Sequence, residues 1–237
     1  MRIVSAHQPA YFPWLGYFHK LMVSDVFVIM DDVQYEKNSF INRNKILQRG
    51  DSVWLSVPVI TKNHKKKTIR DMKVENRRWK RKHLMTVQQT YKKAPFFDEV
   101  MPIIESALSV DSDFLIDHTN HQLKTLLAYL GIETQIKFAS ELNICESKLD
   151  YVIELTQKTN GDIFVFGAQG KDYADTQVLS GVGIRPHFQD YRHPAYEQCN
   201  QVFVPYMSVI DGMFCAGRAL KELIMKNNVT KQQLRYE

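Results

Sequence analysis

Arg2-Ile3-Val4-Ser5-Ala6-His7-Gln8-Pro9, then Trp14 to Val23, then Val26-Phe27-Val28-Ile29-Met30-Asp31-Asp32 form the stretch whose reading decides the fold. Residues 2–6 are a short apolar run and read as a buried first strand. Pro9 and Pro13 punctuate a loop. Trp14 to Val23 then sets Leu15, Phe18, Leu21 and Met22 on one side of a helix. The unbroken apolar run from Val26 to Met30 has the pattern of a strand covered on both faces, as in parallel sheets. Strand, loop, helix, strand within about thirty residues is a βαβ unit and predicts an α/β fold.

Outward from that unit the pattern changes. Asn42–Gln48 and Ser52–Ile60 read as strands joined through Arg49-Gly50-Asp51, and the alternation of Thr68–Val74 predicts a third. This is a small antiparallel insert near residues 40–75, with Asn63 to Lys67 as its exposed tip. Helices are predicted over 77–93, 97–109 and 112–130, the last with Asp111 or Ser112 as N-cap and Gly131 as C-cap. Thr134–Ala139, Asp162–Phe166 and Arg185–Tyr191 read as further strands, Lys148–Thr159 as a helix, and Ser208–Lys226 as one closing helix. The expectation is one domain over 1–237: a mostly parallel sheet core flanked by helices, an insert at about 38–75 and a helical segment at about 76–130.

The chain has 237 residues, 44% hydrophobic and 24% charged. That is long enough for an unstapled core and excludes disordered, collagen-like and coiled-coil classes. The formal net charge of +5 hides a division. From Lys62 to Lys93 there are thirteen Lys or Arg against two acids, a local net of +11, which leaves −6 on the remainder. Such a segment reads either as a solvated face or as a surface for an acidic partner. Cys145, Cys199 and Cys215 are too few and too scattered for a disulfide framework or a zinc knuckle, so they are expected as free thiols. No signal peptide and no membrane-spanning run is evident, which predicts a cytoplasmic protein.

The chemistry-bearing residues cluster at predicted strand ends. In open α/β sheets, ligands bind beyond the carboxyl ends of the strands, where helix N-termini point. His7 and Gln8 end the first strand, and Tyr11, Trp14 and Tyr17 follow. Asp31 and Asp32 end the second; paired carboxylates there suit a metal, sugar hydroxyls or a base, or simply close the strand, and nothing nearby supplies further metal ligands at recognisable spacing. Asn42 and Asn44 should share one face of the insert, with Arg43 on the other, as a donor–acceptor pair of amides. Gly167-Ala168-Gln169-Gly170-Lys171-Asp172-Tyr173 reads as an anion-holding turn with Lys171 at a helix start, or as a plain β–α turn. Gln189 and His193 follow the last strand, and His193 suits acid–base work if a carboxylate orients it. Asp211 stands among apolar neighbours and must be paired, capping or functional. Motifs for serine hydrolases, zincins, P-loops and thiol-redox proteins are absent. No metal and no cofactor is called for. Nucleic-acid binding is disfavoured, because the basic segment carries no recognisable module.

The string His7-Gln8-Pro9-Ala10-Tyr11-Phe12-Pro13-Trp14-Leu15-Gly16-Tyr17-Phe18-His19-Lys20 resembles the opening of the WbqC-like protein family. The resemblance continues through Asp31-Asp32-Val33-Gln34-Tyr35, Asn42-Arg43-Asn44-Lys45-Ile46, Trp54 to Val59, Gly170-Lys171-Asp172-Tyr173, Gln189 to Pro194 and Ser208-Val209-Ile210-Asp211. The chain departs from the family pattern at Ile41, where the family has Gln, and at Gly167 to Gly170, where it has a Gly-Pro-Ser-Gly turn. A looser, topological similarity to nucleotidylyltransferases sets Trp14 and Tyr17 where those enzymes carry paired histidines.

The family resemblance implies a bacterial protein of polysaccharide or O-antigen biosynthesis. The resemblance implies no particular reaction; the function expected from the residues together is a cytosolic transferase that adds an acyl or aminoacyl group to a nucleotide- or lipid-linked amino sugar. His7, Asp32 and His193 would be catalytic, and an acidic carrier or phosphate-bearing donor would meet residues 62–93. The alternative is a non-catalytic module that binds a sugar nucleotide or a pathway partner.

Overall fold

A computed structural model describes residues 1–48, 50–199 and 202–236. Strand β1 (Ile3–His7), helix α1 (Leu15–Val23) and strand β2 (Val26–Ile29) form the βαβ unit, with β1 and β2 parallel. After the insert come α2 (Arg78–Tyr91), α3 (Phe97–Ala107) and α4 (Leu115–Leu130), which closes at Gly131 in the left-handed region. Then follow β5 (Gln135–Phe138, numbered after the insert strands), α5 (Ala139–Leu142), α6 (Lys148–Lys158), β6 (Ile163–Phe166), α7 (Thr176–Gly181) and β7 (Arg185–Phe188). The insert strands are β3 (Arg43–Gln48) and β4 (Asp51–Ser56), an antiparallel pair in their own sheet. Arg49 of the predicted connection lies outside the described residues.

The main sheet is parallel throughout, in the order β5-β2-β1-β6-β7. The chain walks from β1 through β2 to β5, then returns to the other side of β1 for β6 and β7. The strand order therefore reverses between β1 and β6, and the crevice beyond their carboxyl ends is where such sheets take ligands. Both faces of the sheet are covered. On β2, Phe27 and Ile29 join the large core under α2–α4, while Val26 and Val28 pack with Val4, Ala6, Phe164 and Phe166 under α6 and α7. This two-sided burial is why the strands lack polar alternation.

Three sequence expectations fail locally. Thr68–Val74 is not a strand: Ile69–Asp71 is a 3₁₀ turn, flanked by single bridges from Thr68 to Gln34 and from Val74 to Val59. Ile69 and Met72, three residues apart, are both fully buried, a spacing that suits a turn better than a pleat. The helix expected from Ser112 begins at Leu115; the Ser112 hydroxyl is spent on the Phe114 N–H and the Asp117 carboxylate. The closing helix is broken into α8 (Val209–Ala216) and α9 (Leu220–Met225), followed by α10 (Lys231–Tyr236). The break is at Gly217, whose φ of +56° leaves the helix and whose Cβ, if present, would lie 2.5 Å from the Phe96 ring.

Candidate functional site

At the reversal point β1 delivers His7. Its Nδ1–H donates to the Gln8 carbonyl at 2.9 Å, which leaves Nε2 as the acceptor. No described residue hydrogen-bonds that Nε2. The half-buried ring is packed edge-on against Trp14 (5.4 Å between centroids) and Tyr17 (5.0 Å). Burial, helped by the charge of Lys20, lowers the imidazole pKa to about 4, so His7 is neutral at neutral pH. Across the crevice, Gly167 follows β6, and a methyl group added there would meet nothing within 4 Å.

Lys20 is a residue the sequence reading did not single out. Helix α1 is buried on nearly every side, and Lys20 is only 4% exposed. Its ammonium donates to the Ala6 carbonyl at 2.8 Å and has no carboxylate partner among the described residues. Burial lowers its pKa to about 7. The Tyr17 hydroxyl is also buried and without a hydrogen bond. A neutral imidazole, a poised amine and an unpartnered phenol thus surround the end of β1. The available signal for Lys20 was a lysine inside an otherwise apolar helix.

The loop that presents Trp14 is held from outside the sheet. Phe12 has a φ of +40°, and the Asn44 amide donates to its carbonyl at 2.7 Å. Tyr11 is fully buried, and its hydroxyl meets His83 Nδ1 at 2.7 Å, beneath α2 and away from His7. Asn42 donates to the Val57 carbonyl and accepts from the Tyr35 hydroxyl. Both amides are therefore spent inside the protein. Arg43 lies with its guanidinium 4.3 Å over the Trp54 ring.

The carboxylates are similarly engaged. Asp31 accepts from the Ser140 N–H and hydroxyl and so caps the start of α5. Asp32 accepts from the Tyr151 hydroxyl at 2.7 Å, which with burial pushes that phenol up. Asp211 is fully buried and accepts from Tyr91 (3.0 Å), Tyr196 (2.7 Å) and Gln198 (2.7 Å). Desolvation raises its pKa despite those bonds.

His193 donates from Nδ1 to the Pro194 carbonyl at 2.9 Å, and its Nε2 accepts from the Tyr206 N–H at 3.3 Å. Its ring sits among Tyr191, Tyr196, Phe203 and Tyr206. Gln189 bridges the Gly16 carbonyl and His19 Nδ1, tying the end of β7 to α1. The His7 and His193 neighbourhoods adjoin at Gly16, where a Cβ would crowd both Tyr191 (3.0 Å) and Trp14 (3.3 Å).

The turn after β6 is a 3₁₀ segment, Ala168–Asp172, and not the start of a helix; α7 begins only at Thr176, capped by Asp175. Lys171, Asp172 and Tyr173 are exposed. Gly170 is required there, because a Cβ would lie 2.5 Å from that of Phe166. Among the described residues no three His, Cys, Asp or Glu side chains gather into a metal-ligand group. No described helix is long and apolar enough to cross a membrane.

The structure thus groups His7, Trp14, Tyr17 and Lys20 at one place. His193 and Asp211 lie at a neighbouring one, and Tyr11, Asn42 and Asn44 serve as supports. The model of the WbqC-like protein family matches residues 8–222, from beside His7 into α9. The uncharacterized protein Rv1507c of Mycobacterium tuberculosis (strain ATCC 25618 / H37Rv) is 28% identical over 219 residues, covering 92% of this chain and 95% of that protein. No solved structure matches. With nine-tenths of its length inside that family model, this chain belongs to the WbqC-like protein family.

Proposed function

We propose that the protein is a cytoplasmic transferase of bacterial surface-polysaccharide assembly, which moves an acyl or aminoacyl group onto a nucleotide- or lipid-linked amino sugar. The observation that carries this reading is His7: a neutral imidazole at the strand-order reversal, its Nδ1 tethered and its Nε2 free. As the acceptor amine or hydroxyl attacks the acyl carbon, Nε2 takes the proton the acceptor loses; the bond between that carbon and the donor then breaks, and the protonated imidazole returns the proton to the donor atom that leaves with the electron pair. Trp14 offers an aromatic face to the sugar ring. Burial, with the charge of Lys20 adding to it, holds His7 neutral, and Lys20, with a pKa lowered to about 7, can itself exchange a proton. Exposed Lys171 is available to a diphosphate. An acidic carrier or phosphate-bearing donor would approach over residues 62–93.

Turnover of nucleotide amino sugars with acyl donors, in wild type and His7→Ala, is the test. The variant should lose about 10²–10⁴-fold, the usual worth of a general base. An unchanged rate removes His7 from the reaction.

A second reading, a non-catalytic module binding a sugar nucleotide or pathway partner, has its own support. Asp31, Asp32 and Asp211 are each occupied by neighbours, and an imidazole held near 4 is a weak base. It predicts ligand binding without turnover, and greater dependence on Lys65, Lys66, Lys67, Arg77 and Arg81 than on the histidines. Charge reversal at those five that leaves binding intact counts against it.

A further inference from the structure

Away from the sheet, a cleft of about 510 Å³ opens between β4 and α2. Among the described residues strand β4 pairs only with β3, and Val53 to Ser56 along it line this cleft. Along α2, Arg78, Lys82 and Thr86 recur every four residues and line one wall as a single stripe. Arg78 and Lys82 are exposed and have no carboxylate partner among the described residues, whereas neighbouring Arg77 is held by Asp111 and Asp113. Among the described residues no acidic side chain lines the cleft. Its aromatic surfaces are Trp54, 40% exposed, and Trp79, whose indole N–H is buried without an acceptor. Arg43 lies against the Trp54 ring and Lys45 Nζ is 5.0 Å from its centroid, so the indole is fixed by the hairpin. His83, with its pKa lowered to about 4 by burial, is neutral at the base of the cleft.

Cationic side chains left unpaired beside an ordered indole suit a ligand that is anionic at one end and a flat ring at the other. Guanidinium and ammonium groups take phosphate oxygens, and an indole face takes a base. We propose that this cleft binds a nucleoside diphosphate, with its base against Trp54 and its phosphates on Arg78 and Lys82. That unit is common to nucleotide sugars and to coenzyme A, so one chemistry covers two sources. A run of rings leads from the cleft to the crevice: Trp54 to Phe40 (5.9 Å), Phe40 to Trp14 (5.3 Å) and Trp14 to His7 (5.4 Å). The site is separate from His7; it rests on the transfer reading only in giving the phosphate-bearing donor a place within residues 62–93.

The test is tryptophan fluorescence and calorimetric titration of the full chain with UDP, coenzyme A, inorganic diphosphate and an acidic peptide. UDP or coenzyme A should bind saturably, the tighter of the two identifying the source. Arg78→Glu with Lys82→Glu should weaken both at least tenfold. Trp54→Ala should weaken UDP and coenzyme A but leave inorganic diphosphate unchanged. All three side chains are exposed, so thermal melts of the variants should match wild type and separate lost binding from lost fold. His7→Ala should leave these affinities unaltered, so this inference and the transfer reading fail separately. Saturable binding of neither nucleotide, unchanged affinity in the double charge reversal, or binding of the acidic peptide alone overturns the proposal.

Discussion

His7 and His193 begin alike and end differently. Each ring donates from Nδ1 to the carbonyl of the next residue, Gln8 or Pro194, at 2.9 Å. Each is packed by aromatic rings, and each has a lowered pKa through burial. The second nitrogen separates them. His193 Nε2 accepts the Tyr206 N–H, and the nearby Asp211 gives its oxygens to Tyr91, Tyr196 and Gln198. His7 Nε2 is left open at the sheet's reversal point, with a buried amine below it. Local chain geometry tethers both rings; only the surroundings leave one of them available for chemistry.

The sharpest way to break this comparison is to delete each imidazole in turn. His7→Ala should abolish turnover by the margin given above, whereas His193→Ala should stay within about tenfold of wild type, because its acceptor is already occupied. Equal losses measured as kcat/KM would erase the distinction. Next in size is Asp211→Ala. It strands two phenols and an amide in the core and should cost about 3–5 kcal/mol in denaturant unfolding, with Asp211→Asn costing less.

Lys20→Met sharpens the His7 side. Removing an unpaired buried charge should raise stability at pH 7 by about 1–4 kcal/mol while lowering turnover. The sign with pH is fixed by the direction of the shift. Lys20 titrates near 7 in the folded chain and at about 10.4 when unfolded, so the unfolded state binds more protons between these values. Wild-type stability should therefore climb relative to Lys20→Met from pH 7 to about 10.4. A constant difference across that window, measured by urea unfolding, would show that Lys20 is not buried as a charge. The smallest expected effect is Lys171→Ala, which should change stability by less than about 0.5 kcal/mol, since its side chain is exposed and has no ion-pair partner among the described residues.

How much was legible follows from where each signal is stored. The unbroken runs Val26–Met30 and Asp162–Phe166 could be read as buried parallel strands because both of their faces are covered. His7 could be placed at a strand's carboxyl end for the same reason. Tyr11 could not be told from Trp14: both are aromatic residues in one loop, yet Tyr11 turns to meet His83, seventy-two residues away. Asn42 and Asn44 looked like a pair for a ligand, but strand alternation says nothing of the Val57 and Phe12 carbonyls that claim them. Lys171 sits in a 3₁₀ turn, because Gly170 must tuck against Phe166 before α7 can start.

By itself, then, the sequence determined the βαβ unit, the antiparallel insert, the division of charge and the residues at the strand ends. All of these are written in local apolar period and composition. Tertiary structure decided which polar groups are free. It spent Asp31, Asp32 and Asp211 on capping and hydrogen bonds, left His7 Nε2 open, buried Lys20 without a counter-ion, and set an unpaired basic stripe beside Trp54. The physical reason is that a polar group's availability depends on partners brought from distant parts of the chain, and the cost of leaving a buried group unpaired is fixed only once those partners are in place.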